Sequence, residues 1–175
     1  MTTLSAPNQL LEDASSRYLR DMRVNLNSIF ELENINKKEA ALLGVAIAAN
    51  GRNERTLSYF TEAAREHGAT TEEIGDAVAC ASLLSANNVL YRFRHFTEKD
   101  TYEQLPARIK MNIMMNPVLG KEFFELVSLA VSAVNGCERC VKAHEASLLQ
   151  LGTREERIFE SIRVAAIVES VNKVF

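Results

Sequence analysis

Prolines, glycines and cysteines are few in this chain, at three, seven and three of 175 residues, and each scarcity removes a class of structure. Pro7, Pro106 and Pro117 leave long stretches without a breaker. Runs alternating apolar and polar residues with period two are equally scarce, which points away from sheets and toward an all-α fold. The glycines include no G-x-G-x-x-G, so a bound nicotinamide or flavin has no support. No apolar run approaches the ~18 residues that span a bilayer. Glu12, Asp13, Arg17, Arg20, Asp21 and Arg23 interrupt the region where a signal peptide would need an unbroken apolar core. A soluble, cytoplasmic protein is expected. Neither sign of charge dominates: 20 Lys and Arg face 23 Asp and Glu, for a net charge of −3. No long block of either sign exists, so neither nucleic acid nor a membrane surface is an expected partner. In a reducing compartment, three cysteines with two of them spaced C-x-x-C mean redox or metal chemistry, not a disulfide scaffold.

What is present is helical periodicity. From Leu10 to Leu32 apolar residues recur every three or four positions, which predicts a helix. Lys38 to Ala49 is apolar over most of its circumference and reads as a buried helix, with Asn50-Gly51 as its stop. Another apolar helix, from about Glu122 to Val134, also ends in Asn-Gly, at Asn135-Gly136. Superposing the two stops brings ALLGVAIAANG over LVSLAVSAVNG and pairs Asn88 with Asn172. The chain 1–175 is therefore expected to be one domain of two pseudo-repeated helical halves, about 36–91 and about 121–175, joined by roughly Arg92 to Gly120. In the first half Arg52, Arg55, Tyr59 and Ala40 occupy the places of Cys137, Cys140, His144 and Glu125. One half carries the chemistry; the other reads as scaffold.

Cys137-Glu138-Arg139-Cys140 follows directly on the Asn135-Gly136 stop and opens a segment of helical spacing. Both sulfurs are expected in the first turn of a helix, where unpaired N–H groups and the positive dipole end favour a thiolate. His144, four residues after Cys140, shares its face at roughly 5–6 Å between Cβ atoms, within reach as a base directly or through one water. Glu125 lies among Phe123, Phe124, Leu126, Val127 and Leu129, too apolar a setting for an unpartnered carboxyl. Ser128, Ser132 and Gly136 share its stripe, which runs toward the C-x-x-C. Half of a zinc site is the competing reading of the cysteine pair, yet only Cys80, His67, His95 and His144 remain as candidate ligands. Haem attachment would need a histidine where Val141 stands. Cys80, inside AVACASLL, is expected to be an inert core thiol, and His67 and His95 surface or capping residues. Position in the helix favours Cys137 as the attacking thiol, whereas proximity to His144 favours Cys140.

The pattern E-x11-C-x2-C-x3-H resembles the signature of the alkyl hydroperoxidase D family. The stretches MNIMMNP, FELVSLAVSAVNGC, AHE and NNVLYRFRHF extend the resemblance over nearly the whole chain. It implies an all-α homotrimer that reduces the disulfide of a two-cysteine peroxiredoxin, the alkyl hydroperoxide reductase C type. Electrons would come from dihydrolipoamide on a lipoylated 2-oxoacid dehydrogenase acyltransferase, recharged by its dihydrolipoamide dehydrogenase. A weaker direct peroxidase activity is implied as well, with no cofactor bound. The same resemblance makes Cys140 the attacking thiol, Cys137 the resolving thiol that closes a Cys137–Cys140 disulfide, and His144 with Glu125 the proton relay. In one respect the sequence departs from the family: a relay histidine before the second cysteine is replaced by Arg139, which cannot accept a proton at neutral pH but could stabilise a thiolate. Two rival readings are a redox-sensing helical regulator that does not turn over and a decarboxylase-like relative of the same fold.

Overall fold

A computed structural model describes residues 16–175, and every described element is helical. After a 3-10 turn at Arg17–Leu19 come α1 (Arg20–Ser28), α2 (Lys37–Gly51), α3 (Glu54–Glu66) and α4 (Thr71–Thr97). A connector holding the short α5 (Asp100–Gln104) and a 3-10 turn at Asn112–Met115 leads to α6 (Lys121–Val134), α7 (Glu138–Gln150) and α8 (Glu155–Asn172). The helix expected over Leu10–Leu32 falls partly outside the described residues. Its described part ends at Ser28, because the following turn is fastened elsewhere. Glu160 of α8 accepts from the Asn34 main-chain N–H at 2.7 Å and from its side chain at 3.2 Å.

The core is built on α2 and α6. α2 packs against α3, α4, α6 and α8, while α6 packs against α4, α7 and α8. Asn36 caps α2 in a reciprocal box with Glu39, and every residue from Ala40 to Ala48 is buried, as its all-round apolarity predicts. Arg157 of α8 ties the two central helices together, donating to Glu39 at 2.6 Å and Glu122 at 2.8 Å. Its guanidinium holds the Glu122 carboxyl below the usual carboxylate range, against the opposing pull of burial.

Two further boundaries differ from the sequence reading. α2 runs through Asn50-Gly51, and Arg52 takes the left-handed turn at φ 55°. Gly51 is in close contact with α8, where a Cβ would lie 2.5 Å from the Asn172 amide nitrogen. α4 also continues to Thr97, absorbing Arg92–Thr97 from the expected connector, so that its last two turns reach beyond the core to the cysteine motif.

Close approach of α3 to α2 rests on Gly44, where a Cβ would meet the ring of the fully buried Phe60 at 2.2 Å. Gly44→Ala is expected to lower stability by about 1–3 kcal/mol, the usual cost of overpacking. Thermal denaturation by circular dichroism measures it; an unchanged midpoint would mean that Phe60 can move aside.

Candidate active site

α6 stops where the sequence places its end, with Gly136 at φ 67° and the Cys137 N–H bonded to the Ser132 carbonyl at 3.0 Å. Cys137 is the N-cap residue of α7 and Cys140 lies in its first turn. The two sulfurs are bonded to each other, across a Cα–Cα distance of 5.3 Å. Their exposures differ in kind: Cys137 is 0 % accessible, whereas Cys140 is 7 % accessible and borders a cavity.

One turn further along α7, His144 meets Glu125 of α6, with Nδ1 2.7 Å from a carboxylate oxygen. Both side chains are nearly enclosed, at 12 % and 14 % accessible. A carboxylate only accepts, so Nδ1 carries the proton in this contact and Nε2 is the nitrogen with a lone pair to offer. The contact therefore fixes both the tautomer and the ring orientation, as a carboxylate does for a catalytic histidine. Ser128 and Ser132 play no part in the link. They face α4 instead, where Ser128 meets the Cys80 sulfur at 3.3 Å and Ser132 accepts from Asn88 at 3.0 Å. Glu125 reaches across to His144 of α7 and not along its own helix.

The cavity beside Cys140 and His144 has a volume of about 380 Å³. Leu84, Tyr91, Met111, Met114 and Ala143 make most of its wall apolar, with Asn87 and Arg139 as its other polar members. Arg139 does not point freely at the sulfur. Its Nη1 is 2.5 Å from Glu103, whose carboxyl it holds below the usual range, and its guanidinium lies 5.6 Å from the Tyr91 ring centroid. Glu138 pairs with Lys142 and sits 3.4 Å from His95 Nε2. The end of α4 and the connector thus grip both residues between the cysteines.

Cys80 is fully buried, and burial pushes its thiol up to about 12, so it carries no thiolate at neutral pH. His67 is an exposed C-cap residue of α3, packed on Phe30, and His95 is exposed. Among the described residues no three His, Cys, Asp or Glu side chains gather as a metal site would require. Sequence reasoning missed Leu84, Asn87, Tyr91, Glu103, Met111 and Met114. The segments NNVLYRFRHF and MNIMMNP contain most of them, but no local spacing assigns them to a cavity wall.

A sulfur bordering an apolar cavity, beside an imidazole oriented by a buried carboxylate, is suited to generating a thiolate away from bulk water. Residues 100–175 match the model of the carboxymuconolactone decarboxylase family. The alkyl hydroperoxide reductase AhpD of Anaeromyxobacter sp. (strain K) is 38 % identical over 170 residues, covering 97 % of this chain and 89 % of that protein. The AhpD of Corynebacterium aurimucosum is 38 % identical over 161 residues, covering 92 % and 90 %, and that of Beijerinckia indica is 38 % identical over 160, covering 91 % and 88 %. With its all-helical fold and with relatives of this likeness matched over almost their whole length, the chain belongs to the AhpD family within the carboxymuconolactone decarboxylase-like superfamily.

Proposed function

We propose that the protein is an antioxidant thiol oxidoreductase that cycles the Cys137–Cys140 pair between dithiol and disulfide. The observation that carries this reading is the placement of Cys140 and the Glu125-oriented His144 on one apolar cavity, with Cys137 bonded behind. His144 Nε2 takes the Cys140 proton, directly or through a water, and Glu125 stabilises the imidazolium that forms. The thiolate attacks the disulfide of an alkyl hydroperoxide reductase C-type peroxiredoxin. One peroxiredoxin sulfur leaves as a thiol, and Cys137 resolves the mixed disulfide by displacing the other. Two electrons pass to the peroxiredoxin, leaving Cys137–Cys140 oxidised. In the slower direct reaction the thiolate takes one oxygen from an alkyl hydroperoxide, releasing the alcohol and leaving a sulfenic acid. Cys137 condenses with it, expelling water. Dihydrolipoamide then returns two electrons and two protons and leaves as lipoamide. The apolar walls of the cavity favour an alkyl chain or a lipoyl arm over a hydrophilic thiol such as glutathione.

The names of the relatives support the peroxide chemistry. The lipoylated acyltransferase and its dihydrolipoamide dehydrogenase are the proposed electron source, in the cytoplasm. No helix among the described residues is long and apolar enough to cross a membrane. A reconstituted assay with dihydrolipoamide, the cognate peroxiredoxin and an alkyl hydroperoxide tests the reading. Sustained catalytic turnover supports it; a single stoichiometric oxidation with no recovery by dihydrolipoamide would leave a redox sensor in its place.

The proposed assembly is a homotrimer. Val89, Phe93 and Phe96 form an exposed apolar stripe on α4, and Phe159 is exposed on α8, surface that a monomer would leave in water. Light scattering at micromolar concentration is expected to give three times the chain mass of 19.5 kDa. A monodisperse monomer would remove the proposal.

Arg139 is assigned a modest role at the cavity rim, as a charge that stabilises the thiolate. Because it is ion-paired and half exposed, Arg139→Ala is expected to slow Cys140 alkylation by no more than about fivefold, the scale of a surface charge effect. Arg139→His should retain the rate. A loss of orders of magnitude in Arg139→Ala would place Arg139 in the proton path after all.

A further inference from the structure

The chain entering the dithiol is held by more than its helix stop needs. At the end of α6 the Asn135 N–H bonds the Val131 carbonyl, the Gly136 N–H that of Ala133 and the Cys137 N–H that of Ser132, each at 3.0 Å. These bonds already satisfy the helix end. Yet Asn135 is also clamped from two other helices. Its side chain exchanges hydrogen bonds with Asn50 of α2, donating at 3.2 Å and accepting at 2.9 Å, and donates to Asn88 of α4 at 2.9 Å. Its main-chain carbonyl accepts from Arg92 at 2.5 Å. Asn88 in turn donates to Ser132, and Ser85 donates to Asn50 at 3.1 Å.

Part-buried polar clusters of this kind add little net stability over apolar packing, but they fix geometry when their members are satisfied. The geometry at stake is adjacent. Gly136, at φ 67°, is the single residue between Asn135 and Cys137, and nothing lies within 4 Å of where its Cβ would be. No side-chain packing fixes Gly136, so beyond its own N–H bond and that of Cys137 the restraint on this turn comes through Asn135.

We propose that Asn50, Asn88 and Arg92, acting on Asn135, are positioning residues that keep Cys137 within bonding distance of Cys140 in the reduced protein and so set the reduction potential of the pair. The inference rests on the dithiol chemistry proposed above. It also gives the half without the C-x-x-C pair a part in the chemistry, because Asn50 is the residue that superposes on Asn135 when the two Asn-Gly stops are aligned. Oxidation joins the two sulfurs and releases two electrons and two protons to an external disulfide. The closer Cys137 is held beforehand, the more that joining is favoured. Loosening the clamp lowers the effective concentration of one thiol at the other and makes the disulfide more easily reduced.

The test equilibrates the full-length protein and its variants Asn50→Ala and Arg92→Met in dithiothreitol redox buffers and reads the dithiol fraction by thiol trapping. Neither side chain touches the sulfurs or lines their cavity. Both midpoints are expected to move to less negative potential, by about 30 mV for each tenfold loss of effective concentration. Thermal denaturation run alongside separates a loss of stability from a change of potential. If Asn50→Ala does not fold, Arg92→Met and Asn88→Ser give the same reading. Potentials equal to wild type in the folded variants, whatever their melting temperatures, would overturn the inference. A wild-type pair that cannot be cycled at all would instead overturn the function proposed for the dithiol.

Discussion

Cys140→Ser is expected to abolish turnover with both peroxiredoxin and alkyl hydroperoxide, while Cys137→Ser stops the cycle one step later. Cys140 borders the cavity and lies one helical turn from His144, whereas Cys137 is fully enclosed and its place is behind the reacting sulfur. Removing the attacking thiol leaves no group at the cavity that can open a disulfide or take a peroxide oxygen. Removing the resolving thiol leaves the first step intact. Cys137→Ser should therefore accumulate a mixed disulfide with the peroxiredoxin, or a sulfenic acid with peroxide, either of which mass spectrometry can trap. Cys140→Ser should yield neither. An adduct on Cys137 in the Cys140→Ser variant would reverse the assignment and would mean that the helix cap outweighs the imidazole. The dipole contributes only about 0.3–1 kcal/mol in exposed settings, which is why the positioned base is expected to win.

Glu125→Gln is expected to lower turnover near pH 7 on the order of 10²-fold, the lower end of what general-base catalysis supplies. The amide keeps the shape of the side chain and can still meet His144, but it carries no charge to stabilise the imidazolium formed when Cys140 ionises. Raising the pH should recover part of the loss, because hydroxide can ionise the thiol without the relay. A purely structural Glu125 behaves differently: the variant would melt earlier, yet turnover per folded molecule would stay at the wild-type value.

Glu125 also shows how far a sequence can be read. Its carboxyl stands among apolar neighbours that demand a partner, and helical spacing alone puts His144 on the face of Cys140. The 2.7 Å contact between Glu125 and His144 joins α6 to α7, so its existence was legible while its route was not. The serine stripe pointed along α6 toward the dithiol, and the fold turned that stripe onto α4. Buried α2 was legible because apolarity around a whole helix has one outcome in a domain this size. Its end was not: the left-handed stop falls on Arg52, and Gly51 serves a close contact with Asn172, 121 residues away in sequence, that no local propensity encodes. The end of α1 failed for the same reason, with Glu160 of α8 holding the turn. The cavity walls are the largest part left unread. Met111 and Met114 come from a connector without periodicity, and Leu84, Asn87 and Tyr91 line the cavity through the packing of α4 on α7, which no local spacing shows.

The most direct test of the carboxylate, imidazole and thiol acting as one unit is the pH dependence of Cys140 alkylation, read in a Cys137→Ser background so that one sulfur reports. Wild-type Glu125 and Glu125→Gln are compared across the range from acid to alkaline, with the reduced protein folded throughout. A profile displaced to higher pH in Glu125→Gln is the predicted result. Coincident profiles would contradict the relay and leave Glu125 a packing residue.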